Sequence, residues 1–306
     1  MSTRRFRRSD PAAIRRLLAI VRATALEILS EPLVLMVMVS AAAVATLAPA
    51  MHYHQFGDAT RMAREAGLSA LLLGGSVVAV FAALRTFRQE LESGTAMSAL
   101  ARPISRTGFF LAKTLGAALV YALFALAVTA VSLTVTVGAA IGGEVAASGG
   151  QIARLWGPSL MLAVAAIVLP LVIAAAANRF RAWRFTLCAN LLLYAFALAG
   201  TLYRFDWALA ARVLPLYALC AVPPAVFLCF AAAFSTRWRM NAAASLTGLI
   251  IVAFLPALGG YCLSDVVSAG GRVSLAYVAL AYAAAMPAAG GALALGAWLF
   301  NGKDIG

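Results

Sequence analysis

The sequence predicts an all-α, polytopic membrane protein with six to eight transmembrane helices, and eight is the favoured number. The chain is 64% hydrophobic and 11% charged, with a mean hydropathy of +0.94. Soluble domains are about 45–50% apolar and about 25% charged. Eight apolar runs are also long enough to cross a hydrocarbon core, which takes roughly 17–25 residues. The runs lie at about 33–51, 67–84, 109–137, 158–177, 185–202, 213–234, 242–263 and 275–300.

The distribution of basic residues predicts how these runs are oriented. Eight crossings place both termini on one side of the membrane. Of the 24 Lys and Arg residues, 18 lie on that side and 6 on the other, whereas the acidic residues divide almost evenly. By the positive-inside rule, both termini are therefore cytoplasmic. The net charge of +13 reflects topology, so we expect no nucleic-acid partner.

Residues 1–30 are predicted to form an N-terminal helix at the cytoplasmic interface, ahead of a single transmembrane domain over 31–306. Asp10 and Pro11 are a capping carboxylate followed by proline at the first helical position. Apolar residues then follow helical spacing, and Pro32 marks the turn into the membrane. The arginines that would meet membrane lipid are Arg15, Arg16 and Arg22. The alternative is a cytoplasmic extension of the first span.

The sixth run contains three prolines, so it is predicted to be kinked or re-entrant rather than a straight span. They are Pro215, Pro223 and Pro224. The fifth and sixth runs could then form a hairpin that does not cross. Because such a hairpin removes two crossings together, both termini stay cytoplasmic with either number of spans.

The apolar runs lack the groups that other functions need. No ionisable side chain lies near the middle of a run, which argues against an ion-coupled secondary transporter. The string Gly296 to Lys303 has the wrong spacing for a phosphate-binding loop. His52 and His54 fit an interfacial aromatic cluster around Tyr53 better than a metal site. We therefore predict no catalytic, cofactor-binding or metal-binding residues and no enzymatic activity.

The segment 85–107 is a polar stretch of 23 residues on the predicted cytoplasmic side, where a connection of roughly 2–8 residues would be enough. Its residues predict a helix, a break at Gly94 and Thr95, a short helix and a stop at Arg102 and Pro103. The short helix would expose Met97 and Leu100, a pair that suits docking into a groove. The alternative is a solvated loop that only enforces topology.

The residues of this segment resemble the cytoplasmic segment of ABC-2 type transporter permeases. The resemblance is carried by Glu90, Gly94, Thr95, Leu100, Arg102, Pro103, Arg106 and Lys113. In that family the pattern is an acidic residue, a Gly-Thr pair, a Leu-x-x-Pro-x-x-Arg stretch and a lysine entering the third span. The family usually has six spans, whereas eight apolar runs are counted here.

The resemblance implies a permease that pairs with a second permease subunit, identical or different, on two cytoplasmic ABC ATPase subunits. Segment 85–107 would be the coupling helix, with Glu90, Gly94, Thr95, Met97, Leu100, Arg102, Pro103 and Arg106 at the ATPase interface. The ATPase subunits would bind ATP and Mg²⁺, so the permease needs no cofactor. The expected function is export across a bacterial inner membrane, with an extracytoplasmic accessory protein as a further partner. The alternative is a non-transporting membrane anchor of an ATPase-energised cell-envelope assembly.

Overall fold

The fold was analysed in a computed structural model, which describes residues 11–47, 59–93, 105–146, 182–203, 206–238, 240–259 and 271–302. Nine helices make up almost all of this part of the chain, and it contains no strand. This confirms the all-α prediction. The helices are α1 (Pro11–Leu29), α2 (Pro32–Leu47), α3 (Ala59–Ser93), α4 (Arg106–Ala146), α5 (Ala182–Tyr203), α6 (Trp207–Cys220), α7 (Val222–Ser235), α8 (Met240–Gly259) and α9 (Leu275–Asn301).

Four helical stretches among the described residues are long and apolar enough to cross a membrane. They are Thr60–Phe87 in α3, Arg106–Gly138 in α4, Trp207–Ser235 across α6 and α7, and Leu275–Asn301 in α9. Together, α1 and α2 qualify as a fifth span that is bent by 67°. In α5 and α8 the apolar segments are shorter. The described part therefore contains four or five candidate spans, and the predicted number of eight is not confirmed. The predicted run 158–177 lies outside the described residues.

Helix α1 begins at Pro11, the predicted first helical position, and Pro32 opens α2, whereas residues 1–10 of the predicted N-terminal segment lie outside the described residues. The three predicted arginines, Arg15, Arg16 and Arg22, are exposed on α1. Thr24, Ala25 and Ile28 are buried. Helix α1 packs on α4 at Gly116, because a Cβ added to this glycine would lie only 2.7 Å from the Thr24 Cβ. The first half of α1 leaves Ile14 and Leu18 exposed. Its position at the membrane interface stays a prediction.

Helices α3 and α4 form the centre of the bundle. They contain 35 and 41 residues. At 1.5 Å per residue they are about 50 and 60 Å long, well beyond a hydrocarbon core of about 30 Å. The two helices approach closely at Gly74 and Gly75 of α3, because Cβ atoms added there would lie 3.0 Å from Phe124 and 3.2 Å from Tyr121 of α4.

Helices α6 and α7 continue one another through Ala221, whose backbone stays helical with φ −77° and ψ −16°. Together they make one candidate span of 29 residues. Pro223 and Pro224 occupy the first turn of α7, where a missing N–H breaks no helical hydrogen bond. At the other end, the Asp206 carboxylate caps α6 by accepting hydrogen bonds from the Ala208 and Leu209 N–H groups. Pro223 and Pro224 therefore lie at the junction of α6 and α7 without turning the chain back, and Pro215 lies inside α6.

Several helix ends meet at one end of the bundle, which we call the coupling end. It gathers the end of α3 at Phe87, the start of α4 at Phe110, the end of α7 at Ala233 and the end of α9 at Phe300. The turn between α1 and α2 reaches the same end through Glu31. The described end of α9 and the turn after α1 thus lie beside both ends of segment 85–107. Which side of the membrane this end faces stays a prediction.

Candidate coupling site

The predicted coupling segment begins inside α3 and ends inside α4. Helix α3 continues six residues past its candidate span, and Glu90 lies in its last turn. It ends at Ser93, immediately before the predicted break at Gly94. Six of the eight predicted interface residues lie outside the described residues: Gly94, Thr95, Met97, Leu100, Arg102 and Pro103. The structure therefore defines how the two ends of the segment are held, and the dock itself stays a prediction.

At the α3 end, an ion pair ties the segment to the turn between α1 and α2. The Arg85 guanidinium donates to Glu31 Oε1 through Nη2 at 2.7 Å and through Nε at 3.0 Å. Both side chains keep some contact with solvent, since they are 41% and 21% exposed. The pair fixes the orientation of α3 relative to the N-terminal helix, although a partly exposed pair adds little stability.

Four buried phenylalanines join the two ends of the segment to the end of α9, and we call them the aromatic joint. Phe87 of α3 stacks on Phe110 of α4 with ring centroids 5.1 Å apart. Phe300 of α9 lies 6.3 Å from Phe110 and 6.2 Å from Phe109. All four side chains are at most 3% exposed. Aromatic pairs at these distances add about 0.5–1.5 kcal/mol beyond burial, so this is a tight contact between three helices.

Polar contacts fix the start of α4 against the same end of α9. Ser105 caps α4 by accepting a hydrogen bond from the Gly108 N–H at 3.1 Å. The predicted interface residue Arg106 is exposed and donates from Nη1 to the Asn301 carbonyl at 3.3 Å. The Asn301 side chain donates in turn to Thr107 Oγ1 at 3.1 Å. The first turn of α4 is therefore held by α9 as well as by its own cap.

Lys113, which the sequence places at the entry to the third span, is buried just above the aromatic joint. Its side chain is 4% exposed, and its ammonium lies 5.9 Å from the centroid of the Phe109 ring. A cation at this distance is attracted by the negative face of an aromatic ring. The contact adds a charged group to the packing of α4 at the coupling end.

A second polar cluster lies toward the other end of the bundle. The Tyr217 hydroxyl of α6 hydrogen-bonds Ser132 of α4 and donates to the Arg64 carbonyl of α3 at 3.3 Å. Gly67 faces both hydroxyls and leaves no room for a Cβ. The second apolar run was predicted to begin only at about residue 67, but α3 already begins at Ala59, and Arg64 is buried inside the bundle.

Sequence analysis missed Glu31, the aromatic joint and Asn301. Phe300 and Asn301 lie nearly 200 positions from their partners in α4, and no spacing rule connects residues so far apart. A weak signal existed, because Phe87, Phe109, Phe110 and Phe300 all lie at the ends of apolar runs. Such residues are normally interpreted as interfacial aromatics. Among the described residues no group of three or more His, Cys, Asp or Glu could hold a metal ion.

The comparisons with known proteins identify the family. The family model described as an ABC-2 family transporter protein matches residues 20–197, which is more than half of the chain. Neither the curated proteins nor the solved structures gave a match. The matched range contains α2 to α4 and the whole of segment 85–107, and it ends before α9. The chain therefore belongs to the ABC-2 transporter family, as the residues of segment 85–107 predicted.

Proposed function

We propose that this chain is the membrane permease subunit of an ATP-driven exporter in a bacterial inner membrane. Separate ATPase subunits bind ATP and Mg²⁺ and dock on segment 85–107, and a second permease subunit completes the complex. Both termini face the cytoplasm, and the chain crosses the membrane eight times. Family membership supports the transporter role, and the 18-to-6 distribution of Lys and Arg supports the orientation.

The observation that carries the coupling role is the way both ends of segment 85–107 are held. The α3 end is fixed to the N-terminal helix by Glu31 and Arg85, and the α4 end is fixed to α9 by Phe300 and Asn301. A loop that only enforced topology would need no such support. A force applied to the segment would pass directly into three membrane helices through packed contacts, as coupling between two discrete packings requires.

The test is reconstitution of the full-length chain with its ATPase subunit in lipid vesicles. Glu90→Lys and Gly94→Trp should each weaken ATPase binding or alter the hydrolysis rate of the complex at least about threefold, because both alter the predicted dock. Vanadate-sensitive ATP hydrolysis and co-purification of the ATPase subunit are the two measurements. The permease alone should hydrolyse no ATP.

Two matched variants act as controls. Glu65→Lys makes the same charge change at the far end of α3, where Glu65 pairs with the exposed Arg61 of the preceding turn. Gly290→Trp adds the same bulk at a glycine with no other atom within 4 Å of its Cβ position. Both should behave as the unmodified complex. Unchanged binding and hydrolysis in Glu90→Lys and Gly94→Trp would contradict the proposed dock. A complex that hydrolyses ATP but moves no solute would favour the non-transporting anchor.

A further inference from the structure

Helix α9 is packed differently from the other candidate spans. In the described part of the chain, 11% of its most apolar stretch is buried, against 56% to 61% in the three other unbent spans. Cβ atoms at Gly290 and Gly291 would meet nothing within 4 Å. Most of the surface of α9 therefore has no neighbour among the described helices, although Val278, Ala281 and Ala292 are buried.

The last turns of α9 are the exception to this loose packing. A Cβ at Gly296 would lie 2.5 Å from Phe110 Cζ and 2.9 Å from the Ala233 Cα atom of α7. One turn later Phe300 enters the aromatic joint, and Asn301 follows with its bonds to the first turn of α4. On the other face of the same turn, Trp298 is 71% exposed. Among the described residues, the aromatic and glycine contacts of α9 thus lie beside segment 85–107, whereas its first half contacts α6 through the hydrogen bond from the Tyr282 hydroxyl to the Ala218 carbonyl at 3.0 Å.

We infer that Gly296, Phe300 and Asn301 at the end of α9 position the α4 end of the coupling segment, and that α9 is the span displaced when the segment moves. This inference rests on the proposed ATPase coupling. A rigid helix that is closely packed at one end and has few neighbours elsewhere follows the movement of the closely packed end. Phe300 and Asn301 are positioning residues, because they act on Arg106, Thr107 and Phe110 and need not touch the ATPase.

The experiment measures the displacement of α9 in the intact complex. Spin labels are attached at Leu275→Cys and Trp207→Cys, which are 74% and 80% exposed at the starts of α9 and α6, far from the coupling end. The four native cysteines, Cys188, Cys220, Cys229 and Cys262, are first replaced by serine or alanine. Labelled chain is diluted with unlabelled chain so that each complex holds one labelled copy. Pulsed EPR then gives the distance between labels with and without ATP and vanadate.

In the parent complex, ATP and vanadate should change the distance between the labels by at least about 2 Å, the scale of helix shifts at interfaces. Phe300→Ala should reduce that change to less than half, and Asn301→Ala should reduce it partly. Phe300→Leu, which keeps most of the buried volume, should restore it. Trp298→Ala is the matched control, because it removes an exposed aromatic ring from the same turn and should leave the change intact.

The possible failures are distinguishable. If the parent complex hydrolyses ATP without a change in distance, or if Phe300→Ala and Trp298→Ala respond alike, the role of α9 is overturned and the permease function stands. If Phe300→Ala and Phe300→Leu both abolish the change in label distance, any alteration disrupts the aromatic joint as a whole. A specific positioning role for Phe300 is then rejected. If no ATPase subunit binds the unmodified chain, the proposed function and the inference both fall.

Discussion

At the scale of single residues, the bundle depends on positions where a side chain is absent and on polar groups that are paired inside it. Gly74, Gly75 and Gly296 let aromatic side chains of α4 approach the backbone of a neighbouring helix. Tyr217 and Ser132 satisfy each other's hydroxyl groups in a buried position. In an apolar bundle such contacts specify which faces meet, because apolar surface alone is not directional.

Gly296→Ala should destabilise the protein, because the added methyl group would collide with Phe110 and with the backbone of α7. Overpacking of this kind costs about 1–3 kcal/mol. The measurement is thermal unfolding of the purified chain in detergent. Gly290→Ala, on the same helix with open space around it, is the control and should leave the midpoint unchanged or slightly raised. Equal midpoints for the two variants would contradict the close contact at Gly296.

Tyr217→Phe should lower the free energy of unfolding by about 1 kcal/mol, since it removes the hydroxyl that bonds Ser132 and the Arg64 carbonyl. The ring still fills its space, so packing is preserved. Tyr277→Phe is the matched control, because the Tyr277 side chain is 40% exposed. Chemical unfolding in detergent micelles gives both values. A loss above about 3 kcal/mol would mean that the cluster does more than satisfy two polar groups.

At the residue scale, only local signals are visible in the sequence. Adjacent small residues such as Gly74 and Gly75 permit close helix packing whatever the partner is. No local signal pointed to Gly296. A glycine is needed there because the Phe110 ring of α4 lies against it, and Phe110 is far away in the sequence. The predicted run 67–84 left out Arg64, because an arginine beside an apolar run usually belongs to a loop. Helix α3 in fact begins earlier, at Ala59.

At the scale of elements, the turn between α1 and α2 and the ends of α3 and α4 form one connected structure. Asn190 of α5 adds to it by donating from Nδ2 to the Leu29 carbonyl at the end of α1, at 2.7 Å. That carbonyl has no acceptor role within its own helix, so the bond caps α1 from outside. The direction of α1 is therefore set by side chains of α3, α4 and α5 together.

The ion pair of Glu31 and Arg85 should have a small coupling energy, although it connects α3 to the turn after α1. A double-mutant cycle with Glu31→Gln and Arg85→Gln should give a coupling of about 0.2–1 kcal/mol, falling at high salt, because solvent screens both groups. The same cycle on Arg61 and Glu65, an exposed pair one turn apart in α3, is the control and should give about 0.3–0.5 kcal/mol. A coupling above about 2 kcal/mol would show that the joint is shielded from water.

The elements themselves were largely predictable from the sequence, whereas their junctions were not. Run length and apolar content predict that α3, α4 and α9 exist, although α3 begins at Ala59, ahead of its predicted run at 67–84, and Asp10-Pro11 with Pro32 gives the limits of α1. The prolines of the sixth run suggested a hairpin because their position within a turn is not visible in the sequence. Two of them fall in the first turn of α7, where they cost no hydrogen bond.

At the scale of the whole molecule, the distribution of Lys and Arg predicts that both termini and segment 85–107 lie on the cytoplasmic side. The arrangement of the described helices agrees with this orientation. The described end of α9, the turn after α1 and both ends of segment 85–107 lie at one end of the bundle. The sequence assigns all of them to the basic side. The number of spans depends on whether α5, α8 and the predicted run 158–177 cross the membrane, because α5 and α8 contain only shorter apolar segments.

Reporter fusions should show a cytoplasmic C-terminus and a crossing between residues 149 and 179. Alkaline phosphatase, which is active only outside the cytoplasm, should be inactive when fused after Gly306 and after Arg179, and active after Gly149. A fluorescent protein at the same positions should give the reverse pattern. Active phosphatase after Gly306 would contradict the orientation. The same result at Gly149 and Arg179 would show that 158–177 does not cross.

The contact between Asn301 and the start of α4 also has a consequence for biogenesis. Arg106 and Asn301 are 195 positions apart, so the start of α4 leaves the ribosome long before the residues that hold it. At about 5–20 residues per second, that interval is about 10 to 40 s. During it the aromatic joint lacks the ring of α9, and any truncated chain lacks it permanently. The start of α4 therefore reaches its final packing only after α9 has been synthesised, because the contacts of Arg106 and Phe110 with α9 do not exist before then.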